Sequence, residues 1–220
     1  MACLLIPLCL FLVGLQITHE KKEKYYAATV LKGLASLCFV LLGVMLPRGG
    51  EMARLIVLGL ILGAVADVLL SARYAFAEKG QILFLTGILV FLSGHIAYLA
   101  ALLKRSEHPL LCITIGIVLT ALLMTWIFTK ITAKKVFRIF GIFYVGAIMV
   151  MNCVAVGNLI ASPGLFTGLF TTGAVLFLLS DIILILNTFG SESRFSRRIL
   201  NLVLYYIGQL LIAGSLFFLA

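Results

Sequence analysis

Charge is scarce in this chain of 220 residues. Only 11% of it is Asp, Glu, Lys or Arg, against 63% hydrophobic residues and a mean hydropathy of +1.23. A soluble domain is about 45–50% apolar and about 25% charged, so a water-soluble globule is excluded, and a disordered chain with it. No CxxC pair occurs among the five cysteines (Cys3, Cys9, Cys38, Cys112, Cys153), and every one falls inside an apolar stretch. That excludes a disulfide-stapled secreted module and reads the thiols as packing residues. Strand-like alternation is missing, which excludes an outer-membrane barrel. What remains is an all-α integral membrane protein, a single transmembrane domain, with room for about eight spans at roughly 20 residues each.

Cutting the chain at its charge clusters places spans near 2–18, 25–47, 52–72, 82–103, 109–129, 136–160, 163–187 and 199–220. No Lys or Arg precedes the first run and no small-residue cleavage site follows it, so the expectation is a retained helix rather than a signal peptide. Pro163 stands at the start of the seventh run, where a first-position proline is tolerated. The short link at Ala161–Ser162 makes spans six and seven a hairpin. Seventeen basic residues against eight acidic ones give a net charge of +9. Because the basic residues sit between apolar runs, they point to lipid headgroups and topology, not to nucleic acid. The odd loops hold twelve of them (Lys21, Lys22, Lys24, Arg73, Lys79, Lys130, Lys134, Lys135, Arg138, Arg194, Arg197, Arg198) and the even loops four (Arg48, Arg54, Lys104, Arg105). The bias predicts cytoplasmic odd loops and both termini outside.

The seventeenth, Lys32, lies inside a span. So do the only two aspartates, Asp67 and Asp181. Each aspartate costs about 2.5–3.5 kcal/mol at a helix centre, so each needs a partner or a task. His95, Asn152, Asn187, Gln209 and the tyrosines Tyr98, Tyr144, Tyr205 and Tyr206 are the other polar groups at depth. Counted from the odd-loop ends, Lys32, Asp67, Asp181 and Tyr205 lie roughly 8–11 Å in, with Gln209 at about 15 Å and His95 at about 20 Å. Four polar groups at one level predict a single buried site, with His95 and Gln209 as its floor. A Lys–Asp tie between helices is the plainer reading of one such pair. Two aspartates with a lysine, a histidine and paired tyrosines at related depths ask for more. A metal site is not expected, because a buried zinc usually recruits more than one His or Cys; no cofactor is expected either.

An internal echo accompanies these residues. Asp67 and Asp181 are 114 positions apart, and so are Gly94-His95 and Gly208-Gln209. That interval holds four spans, which predicts a parallel repeat of two four-helix halves.

Ser180-Asp181-Ile-Ile-Leu-Ile-Leu-Asn187-Thr-Phe189 with Tyr205-Tyr206-Ile-Gly-Gln209 resembles the C-terminal signature of the lysoplasmalogenase-like YhhN family. Asp67-Val-Leu-Leu, Gly94-His95-Ile-Ala-Tyr98 and the intramembrane Lys32 resemble its earlier motifs, from about residue 25 onward. Ala66 stands where the family typically has Gly, and the proline that often follows its lysine is missing. The resemblance implies a hydrolase cleaving the vinyl ether of lysoplasmalogen, an ether lipid, to a fatty aldehyde and glycerophosphoethanolamine or glycerophosphocholine. It implies a lysophospholipid as partner in the bilayer, with Asp67 and Asp181 as catalytic residues. Lys32, His95, Tyr98, Tyr144, Asn187, Tyr205, Tyr206 and Gln209 would support them or contact the substrate.

The residues suit that chemistry. Vinyl ethers hydrolyse by protonation at carbon and capture of an oxocarbenium ion by water, which takes one protonated and one ionised carboxyl. A low-dielectric setting favours the neutral form and a nearby ammonium the charged one, so two aspartates sharing Lys32 can divide the roles. A lysolipid with its phosphate at the interface would bring its ether near their level, with Arg73, Lys22 and Arg197 at the right edge for the phosphate. The alternative is a proton-coupled or lipid transporter built on the same Asp/Lys/His cluster. The spans show no matching pair of glycine- or proline-broken helices to favour it. A third reading is a non-catalytic lipid-binding protein.

Overall fold

The computed structural model describes residues 4–45 and 50–219. Cys3, Arg48 and the outermost residues of the first, second and last expected spans lie outside them. The described residues form eight helices: α1 Leu5–Lys21, α2 Tyr25–Met45, α3 Glu51–Ala75, α4 Gly80–Leu103, α5 Pro109–Phe128, α6 Lys135–Ala161, α7 Leu165–Phe189 and α8 Phe195–Ser215. Short 3-10 turns precede α4 and follow α8. Helix is what such runs must form, because hydrocarbon offers backbone N–H and C=O groups no other partners.

Seven helices, α2 to α8, are long and apolar enough to cross a membrane. Of the eight expected spans, seven thus have the length required among the described residues, where α1 has 17 residues. Pro163 is not the first residue of α7. The helix starts at Leu165 behind Gly164, and Pro163 stays in the link. The first-position proline is Pro109 of α5.

Neighbouring helices pack as antiparallel pairs, with α3 on α4 and α7 on α8 in the most extensive contacts. α4 also packs on α6, and α8 on α2, so α2, α3, α4, α6, α7 and α8 close into a ring. α1 lies against α2 and α8, and α5 against α6. The two strongest pairs use the same device. A Cβ on Gly94 would come within 3.2 Å of the Gly59 carbonyl oxygen, and one on Gly208 within 2.8 Å of the Gly173 carbonyl oxygen. Glycine at the crossing lets two backbones touch, which is how helices associate without a hydrophobic drive from lipid.

Gly59 and Gly173 are 114 residues apart, as are Gly94 and Gly208, and as are both ends of α3 and α7, each of 25 residues. The interval does not extend to the first helix of each half, since α5 starts ten residues earlier than it would place it.

The loops at one end converge. An isolated bridge joins Ile131 to Gly190, and the Thr132 N–H donates to the Phe189 carbonyl at 2.9 Å, tying the α5–α6 link to the α7–α8 link. At the same end, Arg198 of α8 holds Glu20 of α1 at 2.8 Å.

Candidate functional site

Lys32 is one helical turn before Ser36 on α2, so both face the same direction, toward Asp67 on α3. Lys32 Nζ lies 3.0 Å from Asp67 Oδ1, with both groups buried. Ser36 and Tyr205 each donate a hydroxyl to Asp67 Oδ2 at 2.6 Å. Asp67 therefore receives three donors from α2 and α8, one of them an ammonium. Lys32 Nζ also stands 5.9 Å from the centre of the Tyr205 ring.

Asp181 on α7 is provided for differently. Tyr144 of α6 donates to its Oδ2 at 2.6 Å. Its Oδ1 has no hydrogen-bond partner, and no cation comes within 4 Å of it, among the described residues. Asp67 and Asp181 are 1% and 4% exposed, and both line one cleft of about 30 Å³, room for a water molecule or two. Lys32, Arg73, Phe91, Arg198, Asn201 and Tyr205 contribute to its walls. Next to it lies an apolar chamber of about 60 Å³ between α3, α4, α5, α6 and α7. The two share Leu70, Phe84, Phe91 and Leu184 as a partition, and Tyr144 reaches Asp181 from the chamber's wall.

The expected residues separate into three groups. Lys32, Asp67, Asp181 and Tyr205 face the cleft together. Gln209, Tyr98 and Tyr206 stand behind it in a hydrogen-bonded backing. The Gln209 amide donates to Tyr205 Oη at 3.3 Å and accepts from Tyr98 at 3.0 Å. The Tyr206 hydroxyl donates to the Lys32 carbonyl at 3.2 Å and lies 3.1 Å from Ser36 Oγ. Gln209 thus braces the site without lining it. His95 sits among rings, its centroid 4.6 Å from that of Phe177 and 5.7 Å from that of Tyr144, and neither ring nitrogen has a partner among the described residues. Asn187 is not brought to the cleft. Its Oδ1 accepts the Arg194 backbone N–H at 2.8 Å, closing the turn after α7.

Three polar contributors were not among the expected residues. Ser36 had a legible signal, a hydroxyl one turn beyond an intramembrane lysine. Asn201 donates to the Ser180 carbonyl at 2.9 Å and pins α8 to α7 beside Asp181, a pairing that sequence spacing does not announce. At the mouth Arg198 takes the place expected of Arg197, whose guanidinium instead bonds the Glu192 carbonyl at 3.0 Å. Among the described residues no three His, Cys, Asp or Glu side chains gather as metal ligands.

The arrangement offers two carboxyl groups of unlike partnering on one small polar space, with apolar volume alongside. No curated protein and no solved structure matches the chain. A sequence model of the YhhN family matches residues 27–216, from the third residue of α2 to the turn after α8. It takes in every residue of the cleft, and the chain belongs to the YhhN family.

Proposed function

We propose that this protein is a membrane hydrolase that opens the vinyl ether of a lysoplasmalogen, giving a fatty aldehyde and glycerophosphoethanolamine or glycerophosphocholine. The observation that carries the reading is the unequal partnering of two aspartates on one water-sized cleft. Asp67, with an ammonium and two hydroxyls on it, is the carboxylate. Asp181, with one phenol and an open Oδ1, carries the proton.

The chemistry then balances. Asp181 delivers its proton to the vinyl carbon remote from oxygen and becomes a carboxylate, and an oxocarbenium ion forms. Asp67 takes a proton from water as the water oxygen bonds to the cationic carbon, which yields a hemiacetal. In the second stage the roles reverse. Asp67 returns its proton to the glycerol oxygen, Asp181 takes the hemiacetal hydroxyl proton, and the carbon–oxygen bond breaks. Aldehyde and glycerol alcohol leave, one water is consumed, and both aspartates regain their starting forms. Lys32 keeps a counter-charge beside Asp67, while the apolar chamber takes the first few carbons of the hydrocarbon chain. The unlike roles fit descent from a parallel duplication, supported by the 114-residue interval that relates α3 to α7 and their glycine crossings. The bias of basic residues supports cytoplasmic odd loops, with the cleft opening on that side.

The test offers purified protein lysoplasmalogen and its acyl-linked counterpart, and measures both aldehyde and fatty acid. Aldehyde from the first substrate alone is expected. Asp67→Asn and Asp181→Asn should each cut that release by at least the 10²–10⁴-fold typical of lost acid–base catalysis, with the protein still folded. Fatty acid alone, or near-normal aldehyde release by either variant, contradicts the reading.

A further inference from the structure

Arg73 is the cation at the site without an acidic partner. Its guanidinium carbon lies 4.6 Å from the centre of the Tyr74 ring and 4.4 Å from that of Phe84. One of its N–H groups donates to the Tyr74 hydroxyl at 2.5 Å. Among the described residues no carboxylate lies within 4 Å of it, and its other N–H donors have no protein acceptor. Two aromatic faces therefore hold a guanidinium in place at the cleft wall and leave most of its donors unused. Arg198, on the same wall, differs: both Nε and Nη2 are engaged by Glu20 at 2.8 Å.

A fixed guanidinium fork with free donors is complementary to a phosphate, which accepts two parallel N–H bonds. Stacking on Tyr74 and Phe84 removes the rotamer freedom that an exposed arginine loses on binding, so the site is organised before its ligand arrives. Phe84 does a second thing. Its ring belongs to the partition between the cleft and the apolar chamber, and it packs at 5.7 Å on Phe137 and 6.1 Å on Phe189 at that chamber's edge. The anion seat, the two carboxyls and the apolar slot therefore meet around one side chain. A single-chain amphiphile with a phosphate next to its glycerol would touch all three.

We propose that Arg73, clasped by Tyr74 and Phe84, is the phosphate seat of the site, and that the ligand is a single-chain phospholipid whose chain enters the Phe84–Phe137–Phe189 chamber. The inference rests on the lysolipid reading above and adds the group that selects for phosphate. Arg73 acts in binding and takes no part in proton transfer.

The test is equilibrium binding of two non-hydrolysable ether probes to the purified protein in detergent, 1-O-hexadecyl-glycerophosphoethanolamine and 1-O-hexadecylglycerol. Wild type should prefer the phosphate-bearing probe by about 10- to 100-fold, the worth of one or two charge-assisted hydrogen bonds. Arg73→Gln should abolish that preference while binding 1-O-hexadecylglycerol as wild type does, which shows that the protein is folded. Arg73→Lys, which keeps the charge and loses the fork, should fall between. A preference that survives Arg73→Gln, or a wild type without one, overturns the seat. Inorganic phosphate, lacking a chain, should compete only weakly. Competition at concentrations matching the lipid probe's Kd would assign the seat to a free anion and overturn the lipid source. No turnover enters this measurement. A wild type that binds as stated but releases no aldehyde overturns the hydrolase reading alone.

Discussion

Lys32 and Asp67 form a buried pair whose two members depend on each other. Removing one partner of such a pair leaves an uncompensated charge, which typically costs about 3–5 kcal/mol. Lys32→Met should therefore lower thermal stability in detergent by an amount of that order. Combining it with Asp67→Asn should recover most of the loss while leaving aldehyde release absent. Equal stability of the single and double variants would show that Asp67 already bears a proton beside Lys32. The pair was legible in the sequence because the membrane makes every buried charge conspicuous, and Asp67, Asp181 and Lys32 stood out on that ground alone. Which aspartate is the carboxylate was not legible. It depends on the convergence of Lys32 and Ser36 from α2 with Tyr205 from α8, two helices far apart in the chain. Arg197 and Arg198 show the same limit at closer range. Consecutive helical residues point about 100° apart, so one faces the cleft and the other a loop carbonyl.

At the scale of helices, the glycine crossings set how near α7 and α8, and α3 and α4, approach, and so where Asp181 and Asp67 sit. Gly208→Ala puts a Cβ 2.8 Å from a backbone oxygen that cannot rotate away. It should destabilise the protein by about 1–3 kcal/mol, as overpacking does, and reduce activity by shifting Tyr205 and Gln209 with it. Gly168→Ala, on the same α7 but with nothing within 4 Å of the added atom, should be neutral or stabilising because alanine favours helix. If the two variants behave alike, the crossings do not position the site. The spans themselves were legible because lipid makes length and hydropathy nearly sufficient. The faces were not. A helix in lipid is apolar toward its neighbours and toward the bilayer, so periodicity carries little of the information that it carries in water. Hence the ring of six helices, with α1 and α5 outside it, became visible only in the structure.

Across the whole molecule, α1 is the helix that falls outside the family match, yet it reaches the mouth of the site through Glu20. Side chains of the Glu20–Arg198 pair are 12% and 13% exposed, whereas those of Glu51–Lys104 at the opposite end are 64% and 40% exposed. Glu20→Ala should lower thermal stability clearly, and Glu51→Ala should stay within about 0.5 kcal/mol of wild type, as solvent-exposed pairs do. Comparable effects would mean that α1 is not fastened by this pair. The proposed hydrolysis requires one asymmetry, that Asp181 holds a proton while Asp67 does not. The infrared spectrum of the protein reconstituted in bilayers, recorded at neutral pH, reads it directly, because a protonated carboxyl has a carbonyl stretch that a carboxylate lacks. The six glutamates lie at helix ends or in loops, which leaves the two aspartates as the buried candidates. The expected result is a protonated-carboxyl band in wild type that disappears in Asp181→Asn and persists in Asp67→Asn. A band that disappears in Asp67→Asn instead, or a wild type without one, would contradict it.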